Sequence, residues 1–393
     1  MHPGLILILG VFFESLVQFC KRALYWFDIV DYYSLHIFLL FLGDLLFLGL
    51  FAIMLQVVKF NRTIAAVVIL FLFFFILTIL NQGLMPAVLA VRNTYFWVLM
   101  SLVFALSSHK RMVSEQIRVL KTPLIVASVM QIMFAVFQIS TDFSFEKLWF
   151  EKSGTSLNYD GVTNFGAASK AFSFFSGPLD FGSFGLFALA FGFQTRSVSL
   201  QILGATILFL SGTRGIIFAI PIWIILVFSI SRYLRIAYFS AVAVFFVVIF
   251  SFSSELTSLL WSLPNSRFSF STLAPRIELW LRLPRDNFFF GRGFAANYSV
   301  ESVWSAPAVL DSGILYMLSE VGVLGSFLII FVLLSAVKDV IGVNRSSAFA
   351  NFLGVLLIAN LVQIPFHTRL ANFFVCLLVY AGIYHARAPE IRR

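Results

Sequence analysis

Charge is scarce in this chain. Only 11% of its 393 residues are Asp, Glu, Lys or Arg, with 18 acidic against 27 basic. Soluble domains carry about 25% charged residues, so a soluble globular fold is excluded. Cysteine is nearly absent. Cys20 and Cys376 stand far apart and fit no metal or redox spacing, so neither a disulfide framework nor a zinc site is expected. The apolar runs lack the strict alternation that a transmembrane β-barrel requires. No low-complexity tract, internal repeat or long soluble domain interrupts the chain. The N-terminus has no basic stretch followed by a small-residue cleavage site, so residues 4–19 read as a retained first span.

What remains is apolar. Hydrophobic residues make up 60% of the chain, 50 of them Phe, and the mean hydropathy is +0.97. A helix needs about 20 apolar residues to cross a hydrocarbon core of about 30 Å. Twelve segments are candidates: 4–19, 35–58, 63–80, 85–106, 123–140, 178–194, 198–211, 215–230, 236–253, 311–336, 349–364 and 371–385. The expected fold is an all-α polytopic membrane protein of about 12 transmembrane helices, with residues 1–393 forming one integral membrane domain.

The formal charge of +9 does not point to nucleic acid, because the basic residues sit in short loops between spans. Such loops face the cytoplasm. Lys110, Arg111, Arg118 and Lys121 mark the clearest one. With alternating spans, Lys59, Arg62, Arg196, Arg232, Arg235, Lys338, Arg345, Arg387, Arg392 and Arg393 fall on the same side. Both termini are then cytoplasmic. Two long segments face outward, 141–177 and 254–310, the second between spans nine and ten. Its Trp261, Trp280, Trp304 and Tyr298 suit a membrane–water interface.

The outward side nevertheless holds arginines. Arg276, Arg282, Arg285 and Arg292 lie in the long segment, and Arg214 lies in the turn Ser211-Gly212-Thr213-Arg214-Gly215. The span 198–211 reaches only about 21 Å as a helix, so this turn is expected below the outer surface, with Arg214 in a polar cavity or reaching for head groups. Arg92 interrupts span four, where a mid-membrane arginine costs about 2.5–3.5 kcal/mol and faces a cavity or a partner. Either a functional role or a structural pair with Glu14, Asp44 or Glu320 accounts for it. Asp311 and Asp180 open spans ten and six and read equally as helix caps. Glu320 reads as an ion-pair partner for a buried arginine. His367 and Arg369 share a short outer loop. Asp28 and Asp31 have a D-x-x-D spacing able to hold a divalent cation.

Guanidinium groups bind phosphate through planar paired hydrogen bonds and stay charged when partly desolvated. Several of them at an outer membrane face suit a lipid-linked phosphate or pyrophosphate. They would stabilise a leaving pyrophosphate without a metal. A sugar hydroxyl acceptor calls for a general base, for which Asp311 and Glu278 are candidates. The plainer alternative is an interfacial loop whose arginines bind anionic head groups.

The order of motifs adds a resemblance. The Ser211–Gly215 turn is followed by Arg276-Ile277-Glu278-Leu279-Trp280, then Phe290-Gly291-Arg292-Gly293-Phe294. Next come Asp311-Ser312-Gly313-Ile314-Leu315-Tyr316 and Glu320-Val321-Gly322-Val323-Leu324-Gly325. This sequence of motifs resembles the O-antigen polymerase (Wzy-type) and ligase superfamily of bacterial inner membranes, over about 211–325 by motif and over the whole chain by span count. The resemblance implies a GT-C-like, metal-independent, inverting glycosyltransferase without cofactors, active at the periplasmic face. Its substrate would be an undecaprenyl-pyrophosphate-linked oligosaccharide, with the growing glycan moved to the non-reducing end of a new unit. It further implies membrane lipid, a chain-length regulator and a flippase as partners. Arg214 and Arg276 match the family's arginine positions, whereas Arg292 is an addition within the Phe-Gly-x-Gly pattern. Arg92, Arg292, Arg282, Arg285, Tyr316, His367 and Arg369 are further candidate contacts to pyrophosphate or glycan. Ligase-like members carry a histidine in the outer loop, and residues 254–310 contain none. That favours a polymerase over a ligase. A flippase or other transporter is the alternative from another class, for which two similar helical halves would be expected.

Overall fold

The computed structural model describes residues 1–26, 32–107, 118–141, 143, 170–175, 177–228, 289–294, 312–343, 347–361 and 368–391. Among them the fold is all-helical, with twelve α-helices. They are α1 (Pro3–Trp26), α2 (Tyr32–Leu55), α3 (Arg62–Gln82), α4 (Leu84–Ala90), α5 (Phe96–Ser107) and α6 (Lys121–Ser140). Then follow α7 (Pro178–Gln194), α8 (Val198–Ser211), α9 (Arg214–Phe228), α10 (Gly313–Val343), α11 (Ala348–Ala359) and α12 (Arg369–Ile391). Eleven of the twelve expected spans overlap described helix, and the ninth, 236–253, lies outside the described residues. Among the described residues, three helical segments are long and apolar enough to cross a membrane: Arg62–Gln82, Arg118–Ser140 and Gly313–Lys338. Shorter apolar helices accompany them.

Local chemistry sets the helix ends. Asn61 caps α3 by accepting the Ile64 N–H at 2.8 Å. Gly212 closes α8 in the left-handed conformation, with φ +57°. The fourth expected span is not one regular helix. A π-helical turn, Val91–Tyr95, separates α4 from α5, and such turns often mark sites under local constraint.

The core is aromatic. Phe187 of α7 stacks on Phe374 of α12 at 4.4 Å, and Phe352 of α11 packs edge-on against both. α7 and α8 form a close hairpin. A Cβ on Gly204 would lie 2.6 Å from the Leu189 nitrogen, so only glycine allows this approach. The outside of the bundle is apolar instead of polar. Ile69, Ile76 and Leu80 of α3, Met133 of α6, Ile202 of α8 and Phe327 and Phe331 of α10 are all exposed. Soluble monomers rarely expose so much contiguous apolar surface.

Contacts between helix ends give the bundle a polarity. The α11 N-terminus meets the α7 C-terminus, where the Ala348 N–H donates to Gln194 at 2.8 Å. The α11 C-terminus meets the α10 N-terminus, where the Ile314 N–H donates to the Asn360 carbonyl at 3.1 Å. The Tyr380 hydroxyl of α12 reaches the Met1 carbonyl at 3.0 Å, which puts the α1 N-terminus and the α12 C-terminal half together. Lys59, Arg62, Arg118, Lys121, Arg196 and Lys338 consequently lie at one end. Arg214, Arg292 and Arg369 lie toward the other. These contacts run the α7/α11, α10/α11 and α1/α12 pairs antiparallel, the directions that alternating spans require.

Candidate functional site

The arginine end is built from three backbone irregularities. The first is the Arg214 turn. After Gly212, the Ser211 and Thr213 hydroxyls pair at 2.9 Å, and the Thr213 carbonyl starts α9 by accepting the Ile217 N–H at 3.0 Å. Arg214 is the first residue of α9 and is half-buried. α7 lies directly against the turn, since a Cβ on Gly182 would overlap the Thr213 hydroxyl. Asp180 sits in the first turn of α7, whose cap position is Gly177. A helix start presents unpaired N–H groups and the positive end of its dipole. An arginine there adds positive charge where a helix already favours an anion.

The second irregularity joins two motifs 30 residues apart. α10 is not continuous, because Gly322 has φ +68° and ψ −176°. The break leaves backbone groups without helical partners, and the segment 289–294 supplies them. The Arg292 N–H donates to the Ser319 carbonyl at 3.2 Å and the Gly293 N–H to the Glu320 carbonyl at 2.8 Å. In return, the Leu324 N–H donates to the Phe289 carbonyl at 3.3 Å. The two backbones touch so closely that a Cβ on Gly291 would overlap the Glu320 carbonyl, and one on Gly322 would overlap the Phe289 carbonyl. Irregular backbone at membrane depth survives only when protein satisfies it in this way.

α3 and the π-turn complete this latch. Thr78 accepts the Phe294 N–H at 2.6 Å while donating to the Phe74 carbonyl at 2.7 Å. Asn81 donates to the Arg292 carbonyl at 3.1 Å. The Phe294 ring stacks on Tyr95 at 4.0 Å and packs on Phe71 at 5.1 Å. The Tyr95 phenol donates to the Glu320 carboxylate, which is fully buried. Arg292 is thus held by its own backbone at the junction of α3 and α10, with its side chain half-buried.

The third irregularity is the π-turn, and it carries Arg92. The Arg92 Nε and Nη2 meet Asp44 Oδ2 at 2.6 and 2.5 Å. Arg369 takes the other carboxylate oxygen at 2.7 Å and also reaches Glu14 Oε2 at 2.5 Å. Its guanidinium lies over the Phe47 ring at 4.6 Å and the Trp97 ring at 5.8 Å. Trp97 in turn donates to the Arg92 carbonyl at 2.8 Å. Among the described residues, two carboxylates and two guanidiniums form one cluster joining α1, α2, the π-turn and α12. Of the two accounts of Arg92, the pair with Asp44 is the one present in the fold. Arg369 is the first residue of α12, with its side chain turned into the bundle toward α1 and α2.

Among the other sequence candidates, Tyr316 is buried in the first turn of α10, its N–H bonded to the Ser312 carbonyl at 2.9 Å. Ser312 occupies the α10 cap position, its hydroxyl accepting the Leu315 N–H at 3.4 Å. Arg276, Glu278, Arg282, Arg285, Asp311 and His367, and the Asp28/Asp31 pair, lie outside the described residues. Sequence reasoning missed Thr78, Asn81 and Tyr95, which hold the Arg292 segment. Nothing in their own surroundings marks them, although glycines at 291, 293 and 322 do signal a close backbone approach. Among the described residues, no group of three or more His, Cys, Asp or Glu is placed to hold a metal ion. In comparisons with protein-family models, curated proteins and solved structures, none matches this chain.

Proposed function

We propose that the chain spans a bacterial inner membrane about twelve times, with both termini cytoplasmic and a GT-C-like architecture. In this reading it polymerises undecaprenyl-pyrophosphate-linked oligosaccharide repeat units, of O-antigen or a related surface polysaccharide, at the periplasmic face. One observation carries the proposal. Arg214 and Arg292 lie toward the same end of the bundle, away from the basic loops, and each sits on a glycine-built backbone irregularity.

The acceptor hydroxyl oxygen bonds to the anomeric carbon of the growing glycan as the bond from that carbon to the pyrophosphate oxygen breaks. Attack opposite the leaving group inverts the anomeric centre. Negative charge grows on the departing lipid pyrophosphate, and Arg214, Arg276 and Arg292 would hold it. The hydroxyl proton passes to a carboxylate, Asp311 or Glu278. Arg282, Arg285, Tyr316 and His367 would contact glycan or head groups. Arg92 and Arg369, neutralised by Asp44 and Glu14, enter as braces behind the pyrophosphate contacts.

The test is chain growth by variants in membranes. Arg214→Ala and Arg276→Ala should each lower the rate by about 100-fold or more while the protein remains in the membrane fraction. Full-length polymer from both variants would refute the pyrophosphate assignment. Glycan found only on lipid A-core would favour the ligase reading.

A further inference from the structure

A wide concavity among the described residues lies on the outer surface between α1 and α6. Its volume is about 570 Å³. Its walls are Ile8, Val11, Phe12 and Leu16 on one side and Val126 and Met130 on the other. The polar groups at its floor are already satisfied. Gln131 donates to the Ser15 hydroxyl at 2.9 Å and accepts from the Phe174 N–H at 3.4 Å.

The two ends of the groove differ. Toward the arginine end it is closed by three rings, Phe134 stacked on Phe174 at 3.8 Å and Phe19 edge-on to both. Toward the basic end it opens at Thr122 and Pro123, beside Arg118 and Lys121. Both of these side chains are exposed, and neither forms an ion pair among the described residues. From Pro123 to Phe134 a helix rises about 16 Å, which is about half of a 30 Å hydrocarbon core. The groove therefore has the length of one leaflet's acyl chain, with positive charge where the head group of that chain would lie.

We propose that this groove is a binding site for an anionic phospholipid of the leaflet at the basic end. One acyl chain lies between α1 and α6 up to the Phe19–Phe134–Phe174 stop, and the phosphate rests against Lys121 and Arg118. The inference rests on the membrane-spanning reading but not on the glycosyl transfer. The groove opens at the end opposite Arg214 and Arg292, and its aromatic stop is too near its mouth for a long prenyl chain. The occupant is thus a lipid distinct from the pyrophosphate-linked carrier.

The experiment is native mass spectrometry of the full chain released from nanodiscs of mixed dioleoylphosphatidylglycerol and dioleoylphosphatidylcholine, with undecaprenyl phosphate as a third probe. Resistance of the protein to alkaline extraction from membranes is checked first, so that failure of the membrane reading shows separately. The expected result is retention of one phosphatidylglycerol in preference to phosphatidylcholine. Each of Arg118→Ala and Lys121→Ala should weaken that preference about five-fold. Ala127→Phe, which fills the groove and leaves the charges in place, should abolish retention with the fold intact by circular dichroism. Equal retention of the two phospholipids, preferential retention of undecaprenyl phosphate, or unchanged retention in Ala127→Phe would each overturn the proposal.

Discussion

Arg369 bridges two carboxylates at once, Glu14 and Asp44. Glu14 and Asp44 are largely withdrawn from solvent, with side-chain exposures of 6% and 17%. Removing one partner of a buried pair costs about 3–5 kcal/mol, because buried charge loses compensation. Arg369→Ala should therefore lower the thermal unfolding midpoint in detergent markedly. Adding Glu14→Gln should restore part of the loss by removing one buried carboxylate charge. An unchanged midpoint for Arg369→Ala would show that the cluster does not brace the bundle. The sequence narrowed the partners of Arg92 to three acids, because a mid-span charge demands compensation. It could not indicate that Arg369, 325 residues from Asp44, shares the same carboxylate. That arrangement depends on α2 and α12 packing side by side, which no local pattern encodes.

At the scale of elements, the break in α10 and the 289–294 segment form one unit. Alanine at 322 would have to adopt φ +68° and ψ −176°, a conformation nearly confined to glycine and costing about 1–3 kcal/mol for a residue with a Cβ. Its methyl would also overlap the Phe289 carbonyl. Gly322→Ala should release the segment, and hydrogen exchange at the Arg292, Gly293 and Phe294 amides should quicken by an order of magnitude or more. Exchange as slow as in the parent chain would contradict the latch. A related effect is expected at the Arg214 turn. Gly182→Ala pushes on Thr213 without touching the arginine, and chain growth should fall although Arg214 is present. Parent-like growth by this variant would detach the turn's geometry from the activity. Helix ends fixed by local chemistry were legible beforehand. Spans 178–194 and 198–211 agree with α7 and α8 to the residue, because Pro178 and Gly212 punctuate the chain. The break at Gly322 was not legible, since glycine is common in membrane helices and the apolar run continues through it. Only its distant partner, Gly291-Arg292-Gly293, makes sense of it.

At the scale of the molecule, charge and apolarity are sorted along one axis. Lys59, Arg62, Arg118, Lys121, Arg196 and Lys338 occupy one end, and an apolar surface surrounds the bundle between the ends. In a cysteine-depleted chain, Arg196→Cys and Asn81→Cys place thiols at opposite ends. In spheroplasts an impermeant maleimide should label Asn81→Cys readily and Arg196→Cys only after lysis. Labelling of both without lysis would break the topology. This polarity was legible because loop charge is a property of the sequence alone. The site was legible only in part. The candidate arginines stand out in the sequence as charges away from the basic loops, whereas Thr78, Asn81 and Tyr95, which hold the Arg292 segment, are unremarkable until the fold assembles them.

The most direct test of the central claim is product length. Purified protein is incubated with undecaprenyl-pyrophosphate-linked repeat units and an excess of chelator, and the glycans are resolved by gel. A ladder of increasing repeat number, undiminished by the chelator and absent from Arg214→Ala, is the predicted result. No ladder without added divalent metal, or an equal ladder from Arg214→Ala, would contradict metal-independent polymerisation at the arginine end.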